Sequence, residues 1–260
     1  MRDFSVLMLV SATLLLPQFA IGQSGQDREI ERVQSSGANA PRMEPQDVKR
    51  VAKLIVEKTN DFRKEQGLSP VKTNAELQDA ARYFARYMAR NDEYGHHADG
   101  KRPADRAEEH GYDYCIVLEN IAYQYSSRGF EPPELARKFE RGWEQSPGHR
   151  ENMLDPDVTD TGVAVAQSEE TGHFYAVQMF GRPESKQIEF EIRNNAKEDV
   201  TYELAGKEYA LPPRYTRTHY RCRPAELVLR SGDDEQSLTP MRGDHILVVE
   251  QSGNLRMEQQ

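Results

Sequence analysis

Apolar residues recur at helical spacing through the first half of the chain. A first helix is predicted from Pro45 to Gly67, because apolar side chains fall on one face at three-, four- and seven-residue steps, with proline in the first turn and glycine at the end. These side chains are Val48, Val51, Ile55 and Phe62. We expect this stripe to face the core.

Three more helices are predicted from their end signals. Thr73 and Glu76 have the spacing of a capping box, which indicates the start of a second helix. Proline and glycine bracket a short third helix within residues 103–111, and a fourth begins at Pro132. Apolar residues recur every four positions along the fourth helix as far as Trp143, which is therefore predicted to anchor the core.

The pattern changes to strands in the second half of the chain. Gly162–Gln167 and His173–Phe180 are β-rich segments whose connection favours a hairpin. Beyond Pro183, short runs alternate apolar and polar residues and are separated by turn-forming clusters. The runs lie at Ile188–Ile192, Tyr202–Leu204, Leu227–Leu229 and Ile246–Val249. They predict a small all-β, sandwich-like module over residues 184–260.

The first residues have the features of a cleavable signal peptide. A positive charge at Arg2 precedes an apolar run from Val6 to Leu16 that is too short to span a bilayer, and small residues follow at Ala20 and Gly22. We expect residues 1–22 to be removed by cleavage after Gly22 and residues 23–44 to form a flexible linker. No later apolar stretch is long enough to predict a membrane span, so the mature chain is expected to be secreted or periplasmic.

Composition and charge limit the kinds of molecule that the chain is expected to bind. Charged residues make up 30% of the 260-residue chain and the formal net charge is -9, which disfavours a general affinity for nucleic acid. The chain has two cysteines, Cys115 and Cys222. In an oxidising compartment we expect them to form a disulfide between the two halves of the chain, the alternative being two buried thiols.

Polar motifs follow one another between Tyr94 and Met153. They are Gly95-His96-His97-Ala98-Asp99-Gly100, Leu118-Glu119-Asn120-Ile121-Ala122 and the run from Gly142 to Met153 that contains Ser146-Pro147-Gly148-His149. Imidazole and carboxylate groups are the side chains that share a divalent cation or transfer a proton near neutral pH. The motifs therefore indicate one polar site.

In this order, the motifs resemble the bacterial branch of the CAP superfamily, whose SCP-like domains are related to cysteine-rich secretory proteins, antigen 5 and plant pathogenesis-related proteins. The resemblance runs from Val48 to Pro183. It implies an α+β fold, with a three-layer α-β-α sandwich over residues 45–183 ahead of the all-β module. One departure concerns the second glutamate that many members carry three residues after the tryptophan, because Ser146 occupies that position here.

His96, Glu119 and His149 are the predicted metal-binding set, with zinc or another divalent cation as the cofactor. Two imidazoles and a carboxylate leave a coordination position for water. His97 is an alternative to His96, and a hydrogen-bonded cluster without metal is the alternative to a metal site. Ser146 lies three residues before His149, but no nucleophile-elbow pattern surrounds it, so a turn or helix-capping role is expected.

Two functions remain open. The first is an extracellular binding module for a lipid or sterol-like ligand, a peptide or a cell-envelope component, and the resemblance favours it. The alternative is a metal-assisted hydrolase, most naturally a peptidase, in which Glu119 orients a water near His96 and His149. We expect binding rather than catalysis because the sequence does not contain a complete set of catalytic residues. Tyr123 and Tyr125 are expected either to line a groove or to pack.

Overall fold

The computed structural model describes residues 30–34 and 40–260. The predicted signal peptide, residues 1–22, lies outside the described residues. The helices are α1 Pro45–Glu65, α2 Ala75–Asn91, α3 Pro103–Glu109, α4 Pro132–Gln145 and α5 Pro147–Leu154, and a 3-10 turn covers Glu184–Lys186. The strands are β1 Glu31–Arg32, β2 Lys72–Thr73, β3 Glu93–Tyr94, β4 Tyr114–Gln124, β5 Asp160–Gln167, β6 Phe174–Pro183, β7 Ile188–Asn194, β8 Val200–Leu204, β9 Lys207–Leu211, β10 Thr216–Arg221, β11 Leu227–Ser231, β12 Asp234–Leu238, β13 His245–Gln251 and β14 Asn254–Gln259.

The N-terminal half is built on a four-stranded sheet with the order β2-β5-β6-β4. Strands β5 and β6 form the predicted hairpin, and β4 pairs antiparallel with the other side of β6. One apolar cluster joins the sheet to α2, and a second joins the opposite face to α1 and α4. The predicted three-layer α-β-α arrangement is thereby confirmed, and β4 lies at one edge of its central layer.

Local sequence signals explain most of the helix boundaries. Helix α1 begins at Pro45 and ends before Gly67, which adopts a φ of +76°. Helix α2 starts one residue later than the capping-box spacing predicts. Asn74 is its N-cap, and the Asn74 side chain accepts a hydrogen bond from the backbone N–H of Leu77 at 2.9 Å. Thr73 is not available for this role because it belongs to β2, where it pairs with Thr161.

Gly162 is required where the sheet meets α2. A Cβ added at this position would collide with the backbone of Leu77 and Gln78. Only a residue without a side chain allows β5 and the first turn of α2 to approach this closely. The contact fixes α2 against the sheet, and α2 in turn leads into the segment that carries His96.

The C-terminal half forms the predicted β module. Its two four-stranded sheets have the orders β10-β7-β13-β14 and β12-β11-β8-β9. Alternate residues of both sheets meet in one apolar cluster, which includes Phe190, Tyr202, Leu229 and Val248. This arrangement confirms a β-rich region after the α-β-α half and gives it a sandwich-like core. Among the described residues, no helix combines the length and apolar character needed to cross a membrane.

Covalent and ionic contacts join the two halves. Cys115 at the start of β4 forms a disulfide with Cys222, which follows β10, and this confirms the predicted bridge. The next residue, Arg223, donates to Asp155 at 2.9 and 2.6 Å and to Asp157 at 2.8 Å. Asp155 directly follows α5, and Cys115 lies at the start of β4. The β module therefore contacts the chain beside the two elements that carry His149 and Glu119.

Part of the predicted flexible linker packs against the N-terminal half. Residues 31–32 pair with β3, and Val33 is 7% exposed within the apolar cluster that contains α2. The expectation of a free tether over residues 23–44 therefore does not hold for this segment. The physical reason is that a single β-branched apolar residue is enough to bury surface when its neighbours add a short strand.

Candidate functional site

The candidate site lies at the free edge of β4. His96 follows β3, in the layer that contains α2 and α3, whereas His149 belongs to α5 in the opposite layer. The two imidazole rings meet with their centres 6.3 Å apart. Glu119, in the middle of β4, contacts His96 directly. The structure thus brings together His96, Glu119 and His149, which are far apart in the sequence.

Glu119 is held by an arginine that no sequence motif indicated. Nη2 of Arg106 donates to both Glu119 oxygens, at 2.9 and 2.8 Å, and Nη1 donates to Oδ1 of Asp99 at 2.8 Å. The Arg106 side chain is fully buried, with its guanidinium 3.6 Å from the ring centre of Phe84. This bidentate pairing compensates the Glu119 charge and fixes the orientation of the carboxylate.

His96 is oriented by the same carboxylate. Its Nδ1 lies 2.8 Å from Oε1 of Glu119. Since a carboxylate oxygen accepts, Nδ1 carries the proton, and Nε2 keeps its lone pair. The side chain is 42% exposed, so this nitrogen belongs to a solvent-accessible ring. His97 instead forms a hydrogen bond to the Lys101 carbonyl at 3.0 Å and so is engaged within its own loop.

The backbone of His149 is positioned by Asn120, which is held in turn by Asn152. Asn120, fully buried on β4, donates to the His149 carbonyl at 3.1 Å. Asn152 of α5 donates to Oδ1 of Asn120 at 2.9 Å and to the Glu119 carbonyl at 3.2 Å. Burial, followed by the nearby His96, lowers the pKa of His149 below its ordinary value. The ring therefore stays neutral over a wider pH range than a solvated histidine.

Glu144, the glutamate closest in sequence to Ser146, faces away from this site. Glu144 lies beside Glu140, on the surface between α4 and α1. Burial, with Glu144 as the next cause, raises the pKa of Glu140 to about 7. Ser146 is the N-cap residue of α5 and makes no side-chain capping bond. The predicted turn at Ser146-Pro147-Gly148 is in fact the start of a helix, because proline is favourable in a first turn.

The candidate donors of this site are two imidazoles and a carboxylate that is already paired with Arg106. Within the part of the chain that the structure describes, no three His, Cys, Asp or Glu side chains are grouped as metal ligands. His96 and His149 are the pair available, while Glu119 occupies the position of a carboxylate that orients a metal-binding histidine. Ligation by His96, Glu119 and His149 stays a prediction.

The comparisons with known proteins match the same half of the chain. The model of the CAP, or cysteine-rich secretory protein, family matches residues 56–180. The chain is 32% identical over 139 residues to the uncharacterized protein YkwD of Bacillus subtilis, covering 53% of this chain and 50% of that protein. It is 32% identical over 124 residues to the uncharacterized membrane protein YlbC of the same organism, covering 47% and 33%. The chain therefore spans half or less of the length of these curated relatives.

The solved structures that align with part of the chain include two bacterial proteins. An outer surface protein of Borrelia burgdorferi aligns with a TM-score of 0.47 and 17% identity, covering 56% of this chain and 99% of that one. An extracellular protein of Bacillus anthracis that contains an SCP domain aligns with a TM-score of 0.45 and 24% identity, covering 55% and 45%.

Proposed function

We propose that the chain, whose residues 56–180 match the CAP family of cysteine-rich secretory proteins, is an exported binding protein. Its ligand is held in the cleft at the edge of β4, between His96 and His149. The family is named for secreted proteins, and the apolar run from Val6 to Leu16 favours export.

The observation that supports this proposal is the burial of Glu119 and its pairing with Arg106. Its side chain is 1% exposed, and both of its oxygens accept hydrogen bonds from Arg106. A carboxylate held in this way orients His96 but has little freedom to reach a substrate or accept its proton. Two imidazoles without an accessible acid favour binding over hydrolysis, so we place catalysis second.

A divalent cation, zinc or another, would be held by His96 and His149. Their ring centres are 6.3 Å apart, so the two rings would have to approach each other by about 1 Å to share a tetrahedral cation with Zn–N bonds of about 2.0–2.1 Å. When bound, the cation supplies a positive charge that polarises an anionic or carbonyl oxygen of the ligand. Glu119 would fix the His96 ring through Nδ1, and Asn120 would fix the backbone of His149.

Calorimetric titration of the full chain with Zn²⁺ tests this proposal. We expect one site in the unmodified chain and an affinity at least about tenfold lower in His96→Ala and in His149→Ala, since each removes a ligand or its geometry. His97→Ala is the matched control, because His97 is adjacent in sequence but engaged with the Lys101 carbonyl, and it should bind like the unmodified chain. Equal affinity in all four proteins would contradict a two-histidine site.

Incubation with a peptide library distinguishes the second candidate. We expect no cleavage by the zinc-loaded or the chelator-treated chain. Cleavage that is lost in His149→Ala would instead support the hydrolase. The other ligand classes, lipid or sterol-like molecules and cell-envelope components, are tested by the same titration with and without zinc. Binding that does not change in His96→Ala and His149→Ala would place the ligand outside this cleft.

A further inference from the structure

Residues 30–34 lie on the N-terminal half as an added strand. Glu31 pairs with Tyr94 and Arg32 with Glu93 in antiparallel register, and the backbone N–H of Val33 donates to the Asp92 carbonyl at 2.9 Å. Among the described residues, β3 has no other strand partner. The segment therefore supplies partners to a strand edge that would otherwise be open.

Two side chains of residues 30–34 make specific contacts with the N-terminal half. Val33 is 7% exposed and belongs to the apolar cluster around α2. The Glu31 carboxylate accepts a hydrogen bond from the Tyr123 hydroxyl at 3.0 Å, and the Tyr123 ring stands edge-on to Tyr94 with ring centres 5.0 Å apart. Burial, followed by Tyr123 and Glu31, raises the pKa of Tyr94 to about 12. The Tyr94 hydroxyl is thus a neutral donor, and it bonds to the Ile121 carbonyl at 3.2 Å.

The receiving surface is anchored independently of the segment. Asp92 ends α2 in the left-handed conformation, with a φ of 48°. Its buried carboxylate accepts hydrogen bonds from the hydroxyl groups of Ser168, Thr171 and Tyr175 at 2.9, 2.7 and 3.0 Å. These contacts come from β6 and the loop that precedes it, so the carbonyl that receives Val33 is fixed by the core.

We propose that Asp92, Glu93, Tyr94 and Tyr123 form a binding groove for an extended peptide, here called the β3 groove, and that residues 30–34 occupy it in cis. A backbone ladder, a buried site for one side chain and a polar contact for another are the elements by which sheet edges recognise peptides. The ligand class is a strand in which an acidic residue precedes a β-branched apolar residue by two positions, as Glu31 precedes Val33.

The occupant is held by few contacts, so it is exchangeable. Its ladder covers two residues, and the ion pair of Arg32 with Glu93, at 3.7 Å, has an arginine that is 79% exposed. An exposed pair of this kind contributes little. The segment nevertheless has an advantage over a free peptide, because it is joined to the domain through residues 35–39 and therefore has a high effective concentration.

Limited trypsin digestion of the full chain tests occupancy in cis. We expect the bond after Arg32 to be cut slowly in the unmodified chain and at least about tenfold faster in Val33→Ser, because the buried apolar contact is lost. Tyr123→Phe keeps both the segment and the ring and removes only the hydroxyl, so it should accelerate the same cut by a smaller factor. Mass spectrometry identifies the cut site, and circular dichroism checks each fold.

Fluorescence anisotropy with a labelled peptide of residues 28–36 tests binding in trans. The full chain carrying Val33→Ser should bind this peptide at least about tenfold more tightly than the unmodified chain, whose groove is occupied. A peptide with serine in place of Val33 should bind neither chain. Adding His149→Ala to the Val33→Ser chain should leave peptide binding unchanged, which separates the β3 groove from the proposed metal cleft.

Equal cutting rates at Arg32 in the unmodified chain, Val33→Ser and Tyr123→Phe would overturn occupancy in cis. Failure of the folded Val33→Ser chain to bind the residue 28–36 peptide would overturn the groove itself. If Val33→Ser does not fold, the Tyr123→Phe digestion and its own peptide titration decide both points.

Discussion

Two glutamates with similar burial, Glu119 and Glu140, have opposite electrostatic surroundings. Glu119 is 5% exposed and Glu140 is 8% exposed. Glu119 faces the guanidinium of Arg106 and the ring of His96. Glu140 has the carboxylates of Glu144 and Asp61 as neighbours, and Lys58 forms a longer ion pair with it at 3.9 Å. Burial alone therefore does not define a functional carboxylate, because the neighbouring charges decide whether it is fixed or free to titrate.

The largest expected effect comes from removing the Arg106 guanidinium, which pairs with Glu119. Arg106→Met should lower the free energy of unfolding by about 3–5 kcal/mol, because the Glu119 and Asp99 carboxylates stay buried and lose the cation that compensates their charge. Urea denaturation measures it. Arg102→Met is the control, since Arg102 forms an exposed pair with Asp105, and it should change the free energy of unfolding far less than Arg106→Met. Similar losses in both variants would remove the proposed distinction.

Removing the charge of Glu140 should have the opposite effect and stabilise the fold. Glu140→Gln should raise the free energy of unfolding at pH 8 by about 1–3 kcal/mol, because a buried charge among carboxylates is replaced by a neutral group. The benefit should be much smaller near pH 5 and should disappear below about pH 4.5. The folded-state pKa of Glu140, about 7, lies above the ordinary glutamate value of 4.5, so the folded protein already binds the proton at that pH.

Denaturation of Glu140→Gln at both pH values provides the measurement. The stabilising contribution of the Glu140 proton is fully present below pH 4.5 and is lost as pH rises through about 7. Glu108→Gln, an exposed site on α3, is the control and should show no such pH-dependent difference. A constant difference between Glu140→Gln and the unmodified chain from pH 5 to pH 8 would contradict the assignment.

The smallest effect concerns His149. Burial and His96 lower the His149 pKa, so the neutral ring that binds metal should persist below the ordinary histidine pKa of about 6.5. We expect zinc affinity to fall less than about tenfold between pH 7.5 and pH 6, as one proton competes only partly for the site. Calorimetry at both pH values checks this, and a much steeper loss would indicate that His149 titrates like a solvated residue.

Much of the α-β-α half followed from local patterns. The apolar stripe of α1 and the proline at its start predict that helix, and the turn-rich connection predicts the β5/β6 hairpin. Strand β4 was missed because Glu119 and Asn120 place two polar residues in the middle of a buried strand. Both are buried through tertiary partners, which periodicity does not contain.

The site itself was only partly predictable. His96 and Glu119 stand within motifs that resemble a known family, and the structure places them in contact. Arg106 lies on a seven-residue helix without an apolar period, and its role depends on residues 7 and 13 positions away. Such a buried ion pair follows from the packing of several elements, so no spacing rule identifies it. By contrast, Glu140 and Glu144 are four residues apart on α4, so their proximity follows from helical spacing, whereas the burial of Glu140 depends on where α4 meets α1.

The bridge between Cys115 and Cys222 spans 107 positions of the chain. Cys222 is the later residue to be synthesised, so the edge strand that carries Glu119 receives its covalent link only once about half of the β module has been synthesised. Any shortened product that stops before residue 222 would carry an unpaired thiol on β4, where it is free to cross-link with another molecule. Preparations of the α-β-α half alone therefore need Cys115 replaced or kept reduced.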